Sequence, residues 1–323
     1  MTPDILRFSF EIVFPIILLV LIVLLFLTSI KNKPPKDTEY MSTKEYMKEW
    51  MRSHGQAHDL DRIVEEIQQK GNPFGSIWTP IVVKNAKIFG KMGLTPNKVS
   101  IMSVLLTFLI FYLAIIVGQH QPGANPIERL TFGLLAIPAA LLVLYAGITD
   151  GVDGALATLQ KKKSKSGAWA DGVLDRVSDT LLLVCLIPGG YLIIVDAGLD
   201  FRWLAWTNIF LVFLYEYARA KHYELGMVKI KALLAERPVR ILLESGAFWG
   251  FGVNCLIDLI VIGASGPSID PGFVAYYTAI LNWIMAYFNL AFFVIMVICT
   301  VISFRFVWSE LKKMDAAIQE KHE

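Results

Sequence analysis

Long apolar runs alternate with short polar breaks along this chain. The first run, Ile5 to Ile30, is followed at once by KNKPPK, where Pro34 and Pro35 stop it. A cleavable leader has a shorter apolar core and a small-residue cleavage site, so this run predicts a permanent anchor helix over residues 1–30. From Thr95 onward the sequence is almost continuously apolar, with spans predicted at 98–118, 130–150, 168–195, 203–221, 239–263 and 274–307. These runs are near or above the roughly 20 residues that cross a bilayer as a helix. Glycine and proline mark the breaks at QPGANP, DAGLD and GASGPSIDPG. Residues 31–94 have another character: YMSTKEYMKEWM, LDRIVEEIQQK and IWTPIVVKNAKIF keep helical periodicity with charge on one side. That pattern predicts helices on the headgroup surface, with Met, Trp and Tyr dipping in and Lys and Arg staying wet. The expected fold is an all-α integral membrane protein. It comprises an anchor (1–30), an interfacial segment (31–94), a six-helix membrane domain (95–308) and a tail (309–323).

Composition agrees. The 323 residues have a mean hydropathy of +0.54 and only 18% charged residues, against about a quarter in soluble domains. Cys185, Cys255 and Cys299 all fall in apolar runs without a CxxC pair, so they read as buried thiols, not as disulfides or zinc ligands. The net charge of +2 matters less than its distribution. Lys and Arg crowd segments 31–98, 161–165, 219–240 and 305–321, whereas loops 119–129 and 196–202 carry one Arg each and 264–273 none. This alternation predicts that the basic side faces the cytoplasm of a multi-pass protein.

One polar stretch stands out: DGVDGALATLQKKKSKSGAWADGVLD, residues 150–175. Asp150 and Asp153 are three apart, and Asp171 and Asp175 four apart, so each pair shares a helix face. The short loop between makes the two helices antiparallel neighbours, and Gly151, Gly154, Gly167 and Gly172 leave room on the same turns. Four ionised carboxylates in a partly dry pocket repel one another unless some are protonated or a cation sits among them. Oxygen donors without His or Cys favour Mg²⁺ or Mn²⁺, with phosphate completing the shell. Two such ions, about 3.5–4 Å apart, would clamp a diphosphate during displacement at phosphorus. The plainer alternative is a pair of solvated helix ends.

The stretch resembles the signature of the CDP-alcohol phosphotransferase family, which runs D-x-x-D-G-x-x-A-R, about eight residues, then G-x-x-x-D-x-x-x-D. Asp150, Asp153, Gly154, Ala157, Gly167, Asp171 and Asp175 fall in register. LTPNKVS, before the first core span, looks like the family's opening motif, and the likeness extends over about 95–307. The resemblance implies a divalent-metal-dependent enzyme of phospholipid biosynthesis that moves a phosphatidyl-type group from a CDP-linked lipid to a polar alcohol and releases CMP. It implies metal ligation by Asp150, Asp153, Asp171 and Asp175, with Asp175 also the general base on the incoming hydroxyl. Asn97, Gly154, Ala157, Thr158 and Gly167 would line the nucleotide site, and a homodimer is the family-like assembly. Thr158 departs from the pattern: the family has Arg there, and Lys161 to Lys163 are the nearby cations.

A second basic group, ARAKHYELGMVKIKALLAERPVR, spans 218–240. Arg219, Arg237 and Arg240 resemble the A-R-A…E-R-x-x-R stretch of the phosphatidylinositol-phosphate and archaetidylinositol-phosphate synthase branch. There basic residues hold the acceptor's phosphate, so Arg219, Lys221, Arg237 and Arg240 are the candidate acceptor site. Lys229 and Lys231 read as snorkelling to headgroups. Glu216 and Arg219 read as an ion pair, Asn254 and Asp258 as glue between helices, and His54 and His58 as a solvated face. The expected partners are the CDP-lipid, a polar acceptor such as inositol phosphate, and membrane lipid, with no nucleic acid. Two alternatives remain open: a divalent-cation transporter, and a relative that has lost catalysis at Thr158. Against transport, the carboxylates cluster at one membrane edge and the deeper turns are Leu, Val and Ile.

Overall fold

The computed structural model describes residues 8–35, 38–53, 59–69, 74–119, 126–227, 233–265 and 271–319. His54, His58, Lys229 and Lys231 lie outside the described residues. The chain divides into two units, one of residues 1–109 and 144–178, the other of 110–143 and 179–323.

The first unit opens with a π-helical turn, Ser9–Val13, that runs into helix α1, Phe14–Leu27. Only Leu18 and Leu25 of α1 are buried, as suits a helix whose apolar surface meets lipid. Helix α2, Thr43–Ser53, starts at a reciprocal cap. The Glu45 N–H donates to Ser42 Oγ at 3.2 Å, and the Ser42 N–H donates to Glu45 Oε2 at 2.6 Å. Helix α3, Leu60–Gln69, is joined to α2 by Lys44 to Glu65 at 2.7 Å and by a Lys48–Asp61 pair. Exposed pairs of this kind contribute little. The larger hold is the apolar face: Tyr46, Met47 and Met51 share one core with Leu60 and Val64. Helix α4, Thr79–Lys91, begins with Pro80 in its first turn, where a missing N–H is harmless. It buries Val82, Val83, Ala86 and Phe89 in that same core. One apolar face of each of α2 and α4 therefore meets protein, while Trp50 on α2 and Ile81 and Ile88 on α4 remain exposed.

Gly93 turns the chain out of α4 with φ +87°, and a side chain there would collide with the Ser29 carbonyl. Helix α5, Pro96–Gln119, follows directly. Lys98 Nζ donates to Thr28 Oγ1 at 2.9 Å and to Ser29 Oγ at 3.0 Å, tying the start of α5 to the end of the anchor. Helix α6, Pro126–Gly133, precedes helix α7, Ala136–Leu159. The expected span ended at 150, but α7 continues for nine more residues. Val152, Ala155, Leu156 and Leu159 keep an i, i+3, i+4, i+7 apolar stripe, and all are buried in the first unit's core. Asp150 and Asp153 thus sit inside a helix, not at its end. Helix α8, Lys165–Val184, is shorter than the expected 168–195. Turns follow it, and Pro188, Gly189 and Gly190 (φ +66°) explain the break.

In the second unit, a short antiparallel hairpin pairs β1 (Ile193–Ile194) with β2 (Leu199–Asp200). Helices α9 (Arg202–Glu224), α10 (Arg237–Ser265) and α11 (Pro271–Gln319) complete the order. Leu183, Leu211, Val212, Tyr215, Phe292 and Met296 form a core there. Gly118 and Gly189 let two backbones meet: a Cβ on Gly118 would lie 2.1 Å from Gly189 Cα.

Among the described residues, five helical segments are long and apolar enough to cross a membrane: 9–32, 96–119, 127–159, 237–264 and 280–316. The protein is integral to the membrane. Helices α8 and α9, also expected as spans, are not among the five. Helix α8 carries Asp171, Asp175, Arg176 and Asp179, and α9 carries Glu216, Arg219, Lys221 and Glu224.

Candidate active site

The aspartate stretch folds as a helix hairpin within the first unit. Asp150 projects from α7, and Asp171 and Asp175 from α8. One carboxylate oxygen from each lies within 4.8 Å of the others, and all three residues are half-buried. Asp153 is the deepest, 5% exposed. It accepts from the Ser100 hydroxyl on α5 and, at 2.5 Å, from the Gly154 N–H, and its carboxyl is a hydrogen-bonding neighbour of Asp171. Carboxyl groups this close share a proton or a cation. The donor set is all oxygen and clustered, which fits a hard divalent ion.

Two cavities adjoin the cluster through Asp150, Asp153 and Asp171, while Asp175 is in the lining of neither. One, of about 490 Å³, is lined by Asp150, Asp153, Asp171, Thr158 and Lys163, and by Tyr46, Met47, Trp50, Met51 and Trp78. The other, of about 240 Å³, is lined by Asn97, Ser100, Ala157, Lys162, Ser164 and Gly167, with Asp153, Gly154, Lys163 and Asp171 shared. A Cβ on Gly154 would meet nothing within 4 Å, so that glycine widens the space where the cavities meet. Gly167 is tight: its N–H donates to Ser164 Oγ at 3.0 Å, and a Cβ there would press on that oxygen at 2.9 Å. Burial, with the Asp153 carboxylate near, pushes the Tyr46 phenol up to about 12, so it stays neutral on the wall.

Every residue expected at the nucleotide lines one of these cavities: Asn97, Ala157 and Gly167 the smaller, Thr158 the larger, Gly154 both. Thr158 is only 6% exposed, and its hydroxyl donates back to the Gly154 carbonyl at 2.9 Å. Sequence reading missed Ser100, whose signal was its place one turn after Asn97. It also missed the aromatic and methionine wall, whose signal was Tyr46, Met47, Trp50 and Met51 on one face of α2.

The candidate acceptor residues lie in the second unit, where Arg219, Arg237 and Arg240 belong to a dense ion-pair network. Arg240, 3% exposed, donates to Asp179 Oδ2 at 3.2 Å and Glu216 Oε1 at 3.1 Å. Arg237 Nε is 3.4 Å from Asp179 Oδ1. Arg219 bonds Glu236 at 2.9 Å and keeps the expected pair with Glu216 at 3.8 Å. Lys221 is exposed and pairs with Glu224 on its own helix at 2.6 Å. Asn254, expected to bond between helices, donates to the Gly250 carbonyl of α10 itself.

Residues 93–241 match the family model described as CDP-alcohol phosphatidyltransferase, a stretch that includes the hairpin and both flanking loops. The chain carries a CDP-alcohol phosphatidyltransferase domain. It is a transferase of phospholipid synthesis, moving a phosphatidyl group from a CDP-alcohol to an alcohol acceptor. Among its relatives is an archaetidylinositol phosphate synthase of Pyrococcus horikoshii, 27% identical over 199 residues, covering 61% of this chain and 82% of that protein. Another archaetidylinositol phosphate synthase, from Methanothermobacter thermautotrophicus, is 31% identical over 134 residues, 40% of this chain and 64% of the relative. A crystal structure of Mycobacterium tuberculosis phosphatidylinositol phosphate synthase with CDP-DAG bound aligns with a TM-score of 0.46 and 20% identity, over 71% of this chain and 94% of that one.

Proposed function

We propose that the protein transfers the phosphatidyl-type group of a CDP-linked lipid to a phosphorylated polyol, inositol phosphate being the reference acceptor, at a site facing the cytoplasm. The observation that carries the reading is the convergence of Asp150, Asp171 and Asp175, with Asp150 and Asp171 lining cavities that meet at Asp153 and Gly154. The archaetidylinositol phosphate synthases among the relatives support the choice of acceptor. The Lys and Arg distribution supports the orientation.

Asp150, Asp153, Asp171 and Asp175 would hold Mg²⁺ or Mn²⁺, in all two ions, which supply charge neutralisation for the diphosphate when bound. Ser100 fixes one Asp153 oxygen, so the carboxylate is oriented before substrate arrives. Asp175 takes the proton of the attacking hydroxyl, or orients it, as that oxygen bonds to the β-phosphorus and CMP leaves. Lys163, which lines both cavities, offers a cation on a flexible stem at the shared residues. Asn97, Gly154, Ala157, Thr158 and Gly167 shape the nucleotide's side of the site. Arg219, Lys221, Arg237 and Arg240 are the proposed acceptor-phosphate group, with Arg240 mainly orienting its neighbours through Asp179 and Glu216. The assembly is proposed to be a homodimer.

Purified full-length protein with Mg²⁺ or Mn²⁺ and a CDP-lipid, offered inositol phosphate, glycerol phosphate, serine and inositol in turn, tests this by CMP release. Inositol phosphate is expected to give the highest kcat/KM. Nucleotide binding without CMP release for any acceptor would leave the relative that has lost catalysis as the correct reading.

A further inference from the structure

We infer that the segment ahead of the matched domain, through α2 and α4, builds one wall of the donor site: the larger cavity takes the apolar alcohol of the CDP-alcohol, and the smaller takes its nucleoside. The inference rests on the transferase reading and assigns a substrate role to helices outside residues 93–241.

Three observations carry it. First, the cavities share Asp153, Gly154, Lys163 and Asp171. A CDP-alcohol has its charge in the middle and a different substituent at each end. With the diphosphate at the shared residues, the two substituents must enter different cavities. Second, the walls differ in chemistry. Beyond the shared residues, the 240 Å³ cavity offers Asn97, Ser100, Lys162 and Ser164, which suit a ribose and a pyrimidine. The 490 Å³ cavity offers Tyr46, Met47, Trp50 and Met51 from α2, Trp78 just ahead of α4 and Val82 on it, with the polar Thr79, Asp150 and Thr158 also in its lining. Such a wall desolvates alkyl groups well and would strand the hydroxyls of a polyol, and methionine adapts to chains of irregular shape. Third, the wall is firmly built. Tyr46, Met47 and Met51 belong to the same core as Val82, Val152 and Ala155, and a Cβ on Gly151 would lie 3.4 Å from the Val82 side chain, so α4 sits against the helix that bears Asp150 and Asp153 and α2 shares its core.

The volume suits the glycerol part of a lipid and its first few chain carbons. Thr158 fits the same picture: it lines the larger cavity with a short side chain, and an arginine there would fill part of that space.

The test uses full-length protein in nanodiscs and a CDP-lipid carrying a diazirine on the chain carbons nearest the glycerol. After irradiation, mass spectrometry is expected to find the label on 43–53 and 79–91, with capture suppressed by excess CMP. Trp50→Ala is the matching variant, because Trp50 is 38% exposed and its removal leaves the core filled. It is expected to raise KM for the CDP-lipid about five- to tenfold, with inhibition by CMP and KM for the acceptor held within about twofold. Label confined to other helices, or CMP inhibition weakened in parallel with CDP-lipid binding, would overturn the wall assignment while an active wild type upholds the transferase reading. Absence of both CDP-lipid capture and CMP release in the wild type would overturn both.

Discussion

The Ser100 hydroxyl donates to Asp153 Oδ2, joining the first turn of α5 to the deepest carboxylate of the aspartate hairpin. Ser100 is itself 7% exposed, and its oxygen lies 3.3 Å from the Pro96 carbonyl. With one proton to give, the hydroxyl is committed to the closer acceptor, the Asp153 carboxylate, and the Pro96 carbonyl is its alternative partner. Ser100→Ala is expected to leave the fold intact and lower the rate of CMP release about tenfold, the usual size of effect when a supporting bond to a metal-binding carboxylate is lost. Activity measured beside a thermal unfolding curve separates the two outcomes. An unchanged rate with an unchanged unfolding temperature would remove Ser100 from the site.

Asp171 borders both cavities and belongs to the oxygen cluster with Asp150 and Asp175. Asp171→Asn keeps the shape and removes the charge. It is expected to raise the Mn²⁺ concentration giving half-maximal activity by at least about tenfold, and direct Mn²⁺ binding followed by electron paramagnetic resonance should weaken in step. Chelation of the wild type should stop CMP release, and added Mg²⁺ or Mn²⁺ should restore it.

Much of this site was legible because its chemistry is local. The Asp150, Asp153, Asp171 and Asp175 spacing sets helix faces, and LQKKKSK between them can only be a short turn, so convergence follows from the chain itself. Extension of α7 beyond Asp150 was also readable in Val152, Ala155, Leu156 and Leu159, although Asp150, Gly151, Asp153 and Gly154 interrupt the apolar run that marks a membrane span. Two features were not legible. The burial of Tyr46 and Met47 in a core shared with Val152, Ala155 and Leu156 brings together residues about a hundred apart in sequence, and an amphipathic helix looks alike whether its partner is protein or headgroup. The pairing of Arg240 with both Asp179 and Glu216 likewise joins three helices that no local pattern relates.

That network separates a structural from a ligand-binding arginine. Arg240 is buried and committed to two carboxylates, so Arg240→Met leaves Asp179 and Glu216 without their shared donor. Breaking a buried ion network in this way costs about 3–5 kcal/mol, visible as a clear loss of thermal stability in detergent. Arg240→Lys should recover only part of it, because an ammonium lacks the fork that reaches both acids. By contrast, Arg237→Gln is expected to raise KM for the phosphorylated acceptor with a smaller change in stability. Equal stability losses in the two variants would make both arginines structural.

Thr158 stands where the family signature has arginine, and its surroundings say what the exchange does. The hydroxyl is bonded to the Gly154 carbonyl on its own helix, and the side chain lines the larger cavity together with the residues from α2. Lys163 lines that cavity too, so a cation is already present. Thr158→Val should therefore change CMP release by less than about twofold, since a bond made back to the helix contributes little to it. Thr158→Arg should raise KM for the CDP-lipid several-fold without raising kcat, because the new side chain takes up cavity space and adds a charge that Lys163 makes redundant. Lys163→Ala should instead lower kcat about tenfold, as loss of an interaction made in the transition state does. Steady-state kinetics on the three variants, with CDP-lipid and acceptor varied separately, checks all three. A Thr158→Arg enzyme with higher kcat/KM than the wild type would mean that the missing guanidinium, not the room left by threonine, governs this site.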